Sequence, residues 1–151
     1  MPDLTVPTAE DMRGLGRRLA GQLRPGDLVV LTGDLGAGKT TLVQGLAVGL
    51  DAPGPVLSPT FVIARVHRGG RLPLVHVDAY RLGSLAEVDD LDLDASVEES
   101  VTVVEWGEGL VEQLATDRLE LRLWRSPDPE DETRVVTMTP VGPRWAGVTI
   151  D

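Results

Sequence analysis

The sequence predicts an α/β protein in which helices cover both faces of a mixed, mostly parallel central sheet. Three observations carry this prediction: predicted helices alternate with short apolar segments, the first such segment leads through a glycine-rich loop into a helix, and no linker divides the 151 residues. Apolar runs are typical of parallel strands that are buried on both faces, and their alternation with helices predicts stacked layers. We therefore expect one domain, residues 1–151, built as a three-layer sandwich.

The first elements follow from periodicity and turn signals. Leucines recur every four residues in 9–23, and Thr8 just before them is a favourable N-cap, which predicts a helix. The Pro-Gly pair that follows predicts a turn at 24–27. Residues 28–32 are apolar and partly β-branched, which favours a buried strand, and residues 39–50 have the composition of a helix.

The rest of the chain predicts further strands and one short helix. Apolar or alternating segments bounded by turn residues indicate strands. They lie at 62–66, 72–77, 101–104, 119–124 and 134–139. Residues 110–115 favour a short helix, and the turn-rich stretch 126–132 separates the last two strands.

The balance of charge limits the classes of partner. The chain carries 24 Asp and Glu against 14 Lys and Arg, a formal net charge of −10 at pH 7. Binding to phosphate backbones needs a basic footprint, so we expect no broad, direct binding to nucleic acid. The absence of cysteine excludes disulfides, thiol nucleophiles and cysteine metal sites.

The apolar runs do not predict a membrane protein. All are far shorter than the ~20 residues that a membrane-spanning helix requires. Residues 1–10 contain acids and prolines but no apolar centre of a signal peptide. We therefore expect a cytoplasmic protein that does not enter a membrane.

The strongest motif is a full G-x-x-x-x-G-K-T pattern between the first predicted strand and the helix after it. It comprises Gly33, Asp34, Leu35, Gly36, Ala37, Gly38, Lys39 and Thr40. Glycines let successive backbone N–H groups approach phosphate oxygens, and the N-terminus of the following helix adds partial positive charge. Lys39 suits the β- and γ-phosphates, and the Thr40 hydroxyl suits Mg²⁺.

A plainer interpretation of the same pattern is a glycine-rich turn that caps an ordinary helix. The context favours the phosphate-binding loop, because the motif follows a predicted strand and opens a predicted helix. No N-K-x-D stretch appears later in the chain, which disfavours guanine. The sequence therefore predicts a P-loop NTPase-like fold that binds ATP or ADP together with Mg²⁺.

Two predicted strands end in a carboxylate, Asp78 and Glu105. Phosphoryl transfer needs an acid at a strand end, either to hold the metal or to position water, although each acid could instead cap its strand in solvent. With Lys39, these acids are the predicted catalytic residues, and which acid binds metal is left open. His76 shares a strand face with Asp78 by alternation, so it either orients that acid or packs in the core.

Four segments together resemble the TsaE family. They are the P-loop with the following Thr41, the Ser-Pro-Thr-Phe stretch at 58–61, the His-Val-Asp-Ala-Tyr-Arg-Leu stretch at 76–82, and the Val-Glu-Trp stretch at 104–106. The P-loop alone would not identify a family, whereas its combination with H-x-D-x-Y-R-L and the E-W pair is specific. The resemblance covers about residues 15–106, and the last two predicted strands resemble the family more weakly.

The resemblance implies a P-loop ATPase required to make threonylcarbamoyladenosine (t6A) in tRNA. Members of the family act with the TsaB and TsaD proteins, so tRNA is implied as an indirect partner through that complex. ATP hydrolysis is implied to reset the complex between turnovers. A chain of this kind would hydrolyse ATP slowly without its partners.

The resemblance also implies roles for individual residues. Thr40 and Glu105 match the metal ligands, and Asp78 matches a residue near the γ-phosphate and the attacking water. Further matches are Thr41 as a nucleotide-binding residue after the P-loop, Thr60 in a switch-like loop and Arg134 as an arginine that approaches the nucleotide. Ala9 matches the segment where such proteins place the adenine. The chain departs from the family pattern at Met12, where threonine is usual.

Two other functions share the P-loop and Mg²⁺. A small-molecule kinase usually needs a basic lid and an acceptor site, and no arginine-rich insertion separates the predicted strands. A non-catalytic, nucleotide-gated assembly factor would bind ATP without a need for hydrolysis. Product analysis separates the first alternative from an ATPase, and substitution of Glu105 separates the second.

Overall fold

The computed structural model describes residues 3–33, 38–51, 64–67, 74–78, 100–105, 117–128 and 130–148, and only the backbone of 64–67 and 77–78. Its elements are β1 (Leu4–Val6), α1 (Ala9–Ala20), β2 (Leu28–Gly33), α2 (Lys39–Gly49), β3 (Ala64–His67), β4 (Leu74–Asp78), β5 (Val101–Glu105), β6 (Arg118–Arg125) and β7 (Arg134–Val141). A short 3-10 helix, Pro143–Trp145, follows the last of these strands.

All seven described strands join one sheet, in the order β1-β7-β6-β2-β5-β4-β3. The neighbours β6, β2, β5 and β4 run parallel, whereas β7 is antiparallel to both β1 and β6, and β3 is antiparallel to β4. Five of the seven strands therefore point the same way, with β7 and β3 opposed. This arrangement confirms the predicted α/β class and the mixed, mostly parallel sheet.

Helix α1 begins at the predicted residue and ends earlier than predicted. The Thr8 hydroxyl accepts a hydrogen bond from the Asp11 backbone N–H at 3.1 Å, which satisfies a free donor of the first turn. The helix stops at Ala20 because the next residue, Gly21, turns its N–H to the Arg18 carbonyl at 3.2 Å. Leu23, which the prediction placed inside the helix, is still buried beyond its end.

The turn before β2 forms as predicted. The Asp27 N–H donates to the Arg24 carbonyl at 3.1 Å, and Gly26 has a φ of 93°, which residues with a Cβ rarely adopt. The turn leads into β2, whose residues from Leu28 to Leu31 are all buried. Burial on both faces explains why this strand is an uninterrupted apolar run.

The two described helices pack closely against each other through glycine. A Cβ added at Gly45 would lie 2.0 Å from the Arg13 carbonyl oxygen, and one at Gly16 would lie 2.3 Å from the Leu42 carbonyl oxygen. Only glycine permits this distance between the helix backbones. The contact fixes the start of α1 relative to the start of α2.

The core lies between these helices and one face of the sheet. Alternate residues of the central strands point to the helices, and they form one cluster with leucines of α1 and α2. The cluster includes Leu15, Leu19, Leu42, Leu46, Val29, Leu31, Val101, Val103, Leu121 and Leu123. The predicted helix at 110–115 and the other segments that could cover the second face lie outside the described residues.

A buried ion pair closes the amino end of the sheet. Arg144 donates to both carboxylate oxygens of Asp27, at 2.9 and 2.8 Å, and to the Gln22 carbonyl at 2.7 Å. Its backbone N–H donates to Asp117 at 2.8 Å. The segment after β7 is thereby joined to the start of β2.

Strand β1 and the short helix at Pro143–Trp145 were not predicted. In the part of the chain that the structure describes, no helix has the length and apolar character needed to cross a membrane.

Candidate functional site

The P-loop motif lies in the context that its chemistry needs. Strand β2 ends at Gly33, and α2 begins at Lys39, with Gly38 as its N-cap. Gly38 has a φ of 105°, which favours glycine, and a Cβ there would also come within 3.1 Å of the Met12 Cε. Residues 34–37, in the middle of the loop, lie outside the described residues.

The N-terminus of α2 presents the positive end of the helix dipole. Its first turn has no acidic residue, and its N-cap, Gly38, has no side chain that could bond to the N–H groups. By contrast, the first turn of α1 contains Glu10 and Asp11 and is capped by Thr8. The first-turn N–H groups and the helix dipole favour an anion at the start of α2.

Lys39 brings a second positive charge to the same place. Its side chain is buried, and its Nζ donates to the carbonyl oxygen of Gly33, the last residue of β2. The ammonium is therefore held between the strand and the helix that flank the loop. An ammonium in this position can neutralise phosphate charge.

The two predicted acids are neighbours at the carboxyl end of the sheet. Asp78 and Glu105 are register partners on the parallel strands β4 and β5, and Glu105 is in turn the partner of Leu31 on β2. Glu105 is buried, with 5% of its surface exposed. It therefore lies on the strand beside the one that leads into the P-loop, and the side chain of Asp78 is not described.

His76 contacts Glu105. Its Nε2 lies 2.6 Å from Glu105 Oε2, and both side chains are buried. The prediction that His76 orients Asp78 or packs in the core did not include this partner. A register between two strands that are distant in sequence produces the contact, and alternation along one strand cannot reveal it.

A pocket of about 120 Å³ opens beside the start of α2. It is formed where the first turns of α1 and α2 meet the amino end of β7. Its lining residues are Thr8, Ala9, Met12, Gly38, Thr41, Glu132 and Arg134. The structure thus brings together four predicted binding residues, Ala9, Gly38, Thr41 and Arg134, from three distant segments.

Sequence reasoning did not assign Met12 or Glu132 to this pocket. The helical period provides a signal for Met12, which follows Ala9 by three residues and so shares its face. Glu132 lies in the turn before β7, where no periodic pattern provides a signal. The signal for Met12 does not identify a pocket until the pairing of β7 with β1 and β6 is known.

A tight turn before β7 orients Arg134. The Thr133 N–H donates to the Asp131 carboxylate at 2.9 Å, and the Arg134 Nη1 donates to the carbonyl oxygens of Asp131 and Thr133 at 3.2 Å each. The hydrogen bonds from Thr133 lower the pKa of Asp131 below its usual value. The turn therefore favours the ionised form of the Asp131 carboxylate.

The residues at the loop are suited to Mg²⁺. This ion usually takes only one or two protein oxygens and keeps several waters, so a hydroxyl from Thr40 and one carboxylate are sufficient. Glu105 supplies a buried carboxylate: its Oε2 contacts His76, and its Oε1 is the oxygen that could bind the ion. Among the described residues there is no cluster of three or more His, Asp or Glu that could hold a metal.

Comparison with known proteins identifies the family. The model of the family described as threonylcarbamoyl adenosine biosynthesis protein TsaE matches residues 6–135. The chain belongs to the TsaE family.

Similar proteins agree with the family over most of the chain. The TsaE protein of Streptomyces coelicolor is 64% identical over 139 residues, which cover 89% of this chain and 94% of the relative. That of Mycobacterium tuberculosis H37Rv is 50% identical over 142 residues, which cover 88% and 83%. Both are described as tRNA threonylcarbamoyladenosine biosynthesis proteins.

A solved structure gives the same fold. The crystal structure of Bacillus subtilis YdiB matches with a TM-score of 0.77 at 33% identity, covering 95% of this chain and 88% of the other. The fold is that of a P-loop protein, as predicted. Several residues of the segments that resemble the TsaE family lie outside the described residues, namely Asp34, Leu35, Gly36, Ala37, Thr60, Tyr80 and Arg81.

Proposed function

We propose that this TsaE-family chain is an ATPase that acts in t6A biosynthesis and couples ATP hydrolysis to turnover of a TsaB–TsaD complex. The observation that carries the proposal is the arrangement at the carboxyl end of the sheet. One end of the P-loop is formed by Gly33, the buried Lys39 and the start of α2, whose N-cap is Gly38, and Glu105 lies on the neighbouring strand.

Magnesium would be held by the Thr40 hydroxyl and one of the two carboxylates, Glu105 or Asp78. When bound, the ion supplies charge neutralisation between the β- and γ-phosphates. The other carboxylate is then available to orient water toward the γ-phosphate. The register of β4 and β5, which places Asp78 opposite Glu105, allows the two roles to be shared.

Lys39 and the first turn of α2 act on the phosphates directly. The ammonium and the backbone N–H groups stabilise negative charge that increases on the transferred group, in a buried setting where such contacts are stronger than in water. Lys39 can exchange its hydrogen bond to Gly33 for one to phosphate, or keep it and donate another of its three N–H groups. Both flanks of the loop are already in place for this exchange.

The pocket beside α2 suits the nucleoside end of ATP. It adjoins the loop through Gly38 and Thr41, and it offers the guanidinium of Arg134 and the carboxylate of Glu132 as polar groups. Met12 supplies an apolar surface under Gly38. We propose that the adenine packs against Ala9 and Met12. Thr60 is proposed to lie in a loop that responds to the γ-phosphate.

Coupling to partners accounts for the proposed slow turnover of the chain alone. A site whose loop is completed by a partner hydrolyses ATP at full rate only in the complex. With a net charge of −10, the chain is proposed to reach tRNA through TsaB and TsaD rather than by itself. The proposed site of action is the cytoplasm.

ATP turnover by the purified chain, alone and with its matching TsaB–TsaD pair, tests the proposal. We expect a weak basal rate that rises with the pair and disappears in Lys39→Ala. Phosphate released to water supports an ATPase, whereas phosphate on an acceptor would identify a small-molecule kinase. If the complex forms and binds MgATP but the rate does not rise, the chain is a nucleotide-gated assembly factor.

A further inference from the structure

The contact between His76 and Glu105 fixes the orientation of a carboxylate at the candidate site. On the parallel strands β4 and β5, His76 is the register partner of Val103, two residues before Glu105. Alternation puts His76 and Glu105 on the face of Leu74 and Val103, and both of those residues belong to the core cluster with the leucines of α2. The pair therefore lies on the side of the sheet where α2 begins.

The hydrogen bond is short and shielded from solvent. Nε2 and Oε2 are 2.6 Å apart, and the exposed fractions of the two side chains are 0% for His76 and 6% for Glu105. A carboxylate accepts hydrogen bonds, so the imidazole N–H donates. Such charge-assisted bonds are strengthened by a dry environment.

The other nitrogen of His76 indicates that this residue does more than fill space in the core. Nδ1 is buried and has no hydrogen-bond partner among the described residues. An apolar side chain of similar size would fill the same volume without the cost of desolvating that nitrogen. The hydrogen bond to Glu105 is therefore the contribution that distinguishes histidine from leucine here.

We propose that His76 is a positioning residue that holds Glu105 in one orientation, with Oε2 bound to the imidazole and Oε1 directed to the metal. This inference rests on the proposed function. Hydrogen-bond partners of metal ligands contribute about 10- to 100-fold to metal affinity. His76 would act on Mg²⁺ through Glu105, without touching the ion.

Two substitutions of similar size separate positioning from packing. In His76→Gln the side-chain amide N–H reaches the place of Nε2, whereas His76→Leu fills the volume without a donor. Binding of Mg²⁺ is titrated in the presence of saturating non-hydrolysable ATP analogue, and metal-free nucleotide affinity and the free energy of unfolding are measured in parallel. We expect His76→Leu to weaken Mg²⁺ binding about 10- to 100-fold and His76→Gln to recover most of it. Metal-free nucleotide affinity should remain unchanged in both.

A double substitution tests whether the effect passes through Glu105. In the Glu105→Ala background, His76→Leu should cause no further loss of Mg²⁺ affinity. Equal losses in the Leu and Gln variants, wild-type affinity in His76→Leu, or additive losses in the double variant would overturn the inference. If His76→Leu does not fold, His76→Asn replaces it, because its amide is too short to reach Glu105.

The failure of this inference is distinguishable from failure of the proposed function. Wild-type protein that shows no Mg²⁺-dependent nucleotide binding contradicts the proposed function, and the inference falls with it. Wild-type binding that His76→Leu leaves intact contradicts the inference alone.

Discussion

Single residues at the carboxyl end of the sheet differ in charge and in what holds them. Glu105 is a buried acid there, and its proposed role depends on its negative charge rather than its volume. Glu105→Gln keeps the size and the hydrogen-bond acceptor for His76 but removes the charge. We expect the partner-stimulated rate of ATP hydrolysis to fall by roughly 10²–10³-fold. Nucleotide affinity without metal and the free energy of unfolding should be retained. The hydrolysis rate, the nucleotide affinity and the unfolding free energy are each measured for the variant and the wild type.

Glu120→Gln is the matched control for this prediction. Glu120 is a half-buried acid on β6, paired with Arg118, and it points to the opposite face of the sheet by alternation with Leu119 and Leu121. Its substitution should leave hydrolysis unchanged. Equal losses in both variants would show that net charge, not position, sets the rate.

Arg134 supports a second prediction at this scale. It lines the pocket beside α2, whereas its register partner Arg125 on β6 does not. Arg134→Ala should weaken ATP binding by about 1–3 kcal/mol, the typical cost of a lost charged hydrogen bond. Arg125→Ala should change the affinity much less in the same calorimetric titration. Equal losses would instead indicate a long-range effect of positive charge, and salt would then remove both.

The residue types of the site could be predicted, and their contacts could not. The pattern from Gly33 to Thr40 predicts phosphate binding, because the tight backbone turn requires the glycines and the phosphate charge requires the lysine. The contact of His76 with Glu105 depends on the register of strands more than twenty residues apart. Nothing local encodes that register, so it appears only in the folded chain.

At the scale of elements, the contact between α1 and α2 sets the geometry of the pocket. The pocket takes Ala9 and Met12 from α1, and Gly38 and Thr41 from α2. The helices can approach each other because Gly16 and Gly45 carry no side chain. The distance between the two halves of the pocket therefore depends on glycines that do not line it.

Gly45→Ala tests this dependence. The added methyl would lie 2.0 Å from the Arg13 carbonyl oxygen, which is backbone and cannot move aside without displacing α1. We expect a loss of about 1–3 kcal/mol or more in the free energy of unfolding, together with weaker nucleotide binding. Chemical denaturation and nucleotide titration of the same samples measure the two effects.

Gly14→Ala provides the control within α1. A Cβ there would meet only the ends of the Arg17 and Arg18 side chains, at 3.7 Å. Alanine has the higher helix propensity, so this variant should gain up to ~1 kcal/mol of stability and keep its nucleotide affinity. Unchanged stability and nucleotide affinity in Gly45→Ala would contradict the importance of the glycine contact, and equal losses in both variants would show that the loss is not specific to that contact.

The elements that sequence predicted best are those with strong local signals. Helix α1 has a leucine repeat and an N-cap at Thr8, and β2 and β5 are buried apolar runs. Strand β1 has only three residues, Leu4–Val6, and a proline follows it at once. It forms because it pairs with β7, about 130 residues later. A segment of three residues is too short to show the sequence pattern of a strand.

At the scale of the whole molecule, the sheet has two ends with different tasks. The carboxyl ends of β2, β4 and β5 carry the P-loop and the acids, as is typical of parallel α/β sheets. The amino end of β2 is closed by Arg144, whose ion pair with Asp27 joins segments that are 117 residues apart in sequence. Stability and function therefore concentrate at opposite ends of the same strand.

This separation predicts that breaking the ion pair destabilises the fold without touching the site. Asp27 is 4% exposed and the Arg144 side chain 15%, so Arg144→Met leaves a buried carboxylate without its partner. Removal of one member of a buried pair typically costs about 3–5 kcal/mol in the free energy of unfolding. Denaturant titration should show this loss, and the folded protein should bind ATP analogue with wild-type affinity.

Two further variants show whether the loss comes from the unpaired charge. Adding Asp27→Asn to Arg144→Met removes that charge while leaving an acceptor for the Arg24 N–H, so it should restore much of the stability. Arg17→Met breaks a pair with Glu10 in which both side chains are exposed, and it should cost at most about 1 kcal/mol. If Arg144→Met costs no more than Arg17→Met, the pair does not close the sheet. If it abolishes ATP binding in folded protein, the two ends are coupled, because a change at one end of β2 has then reached the loop at the other.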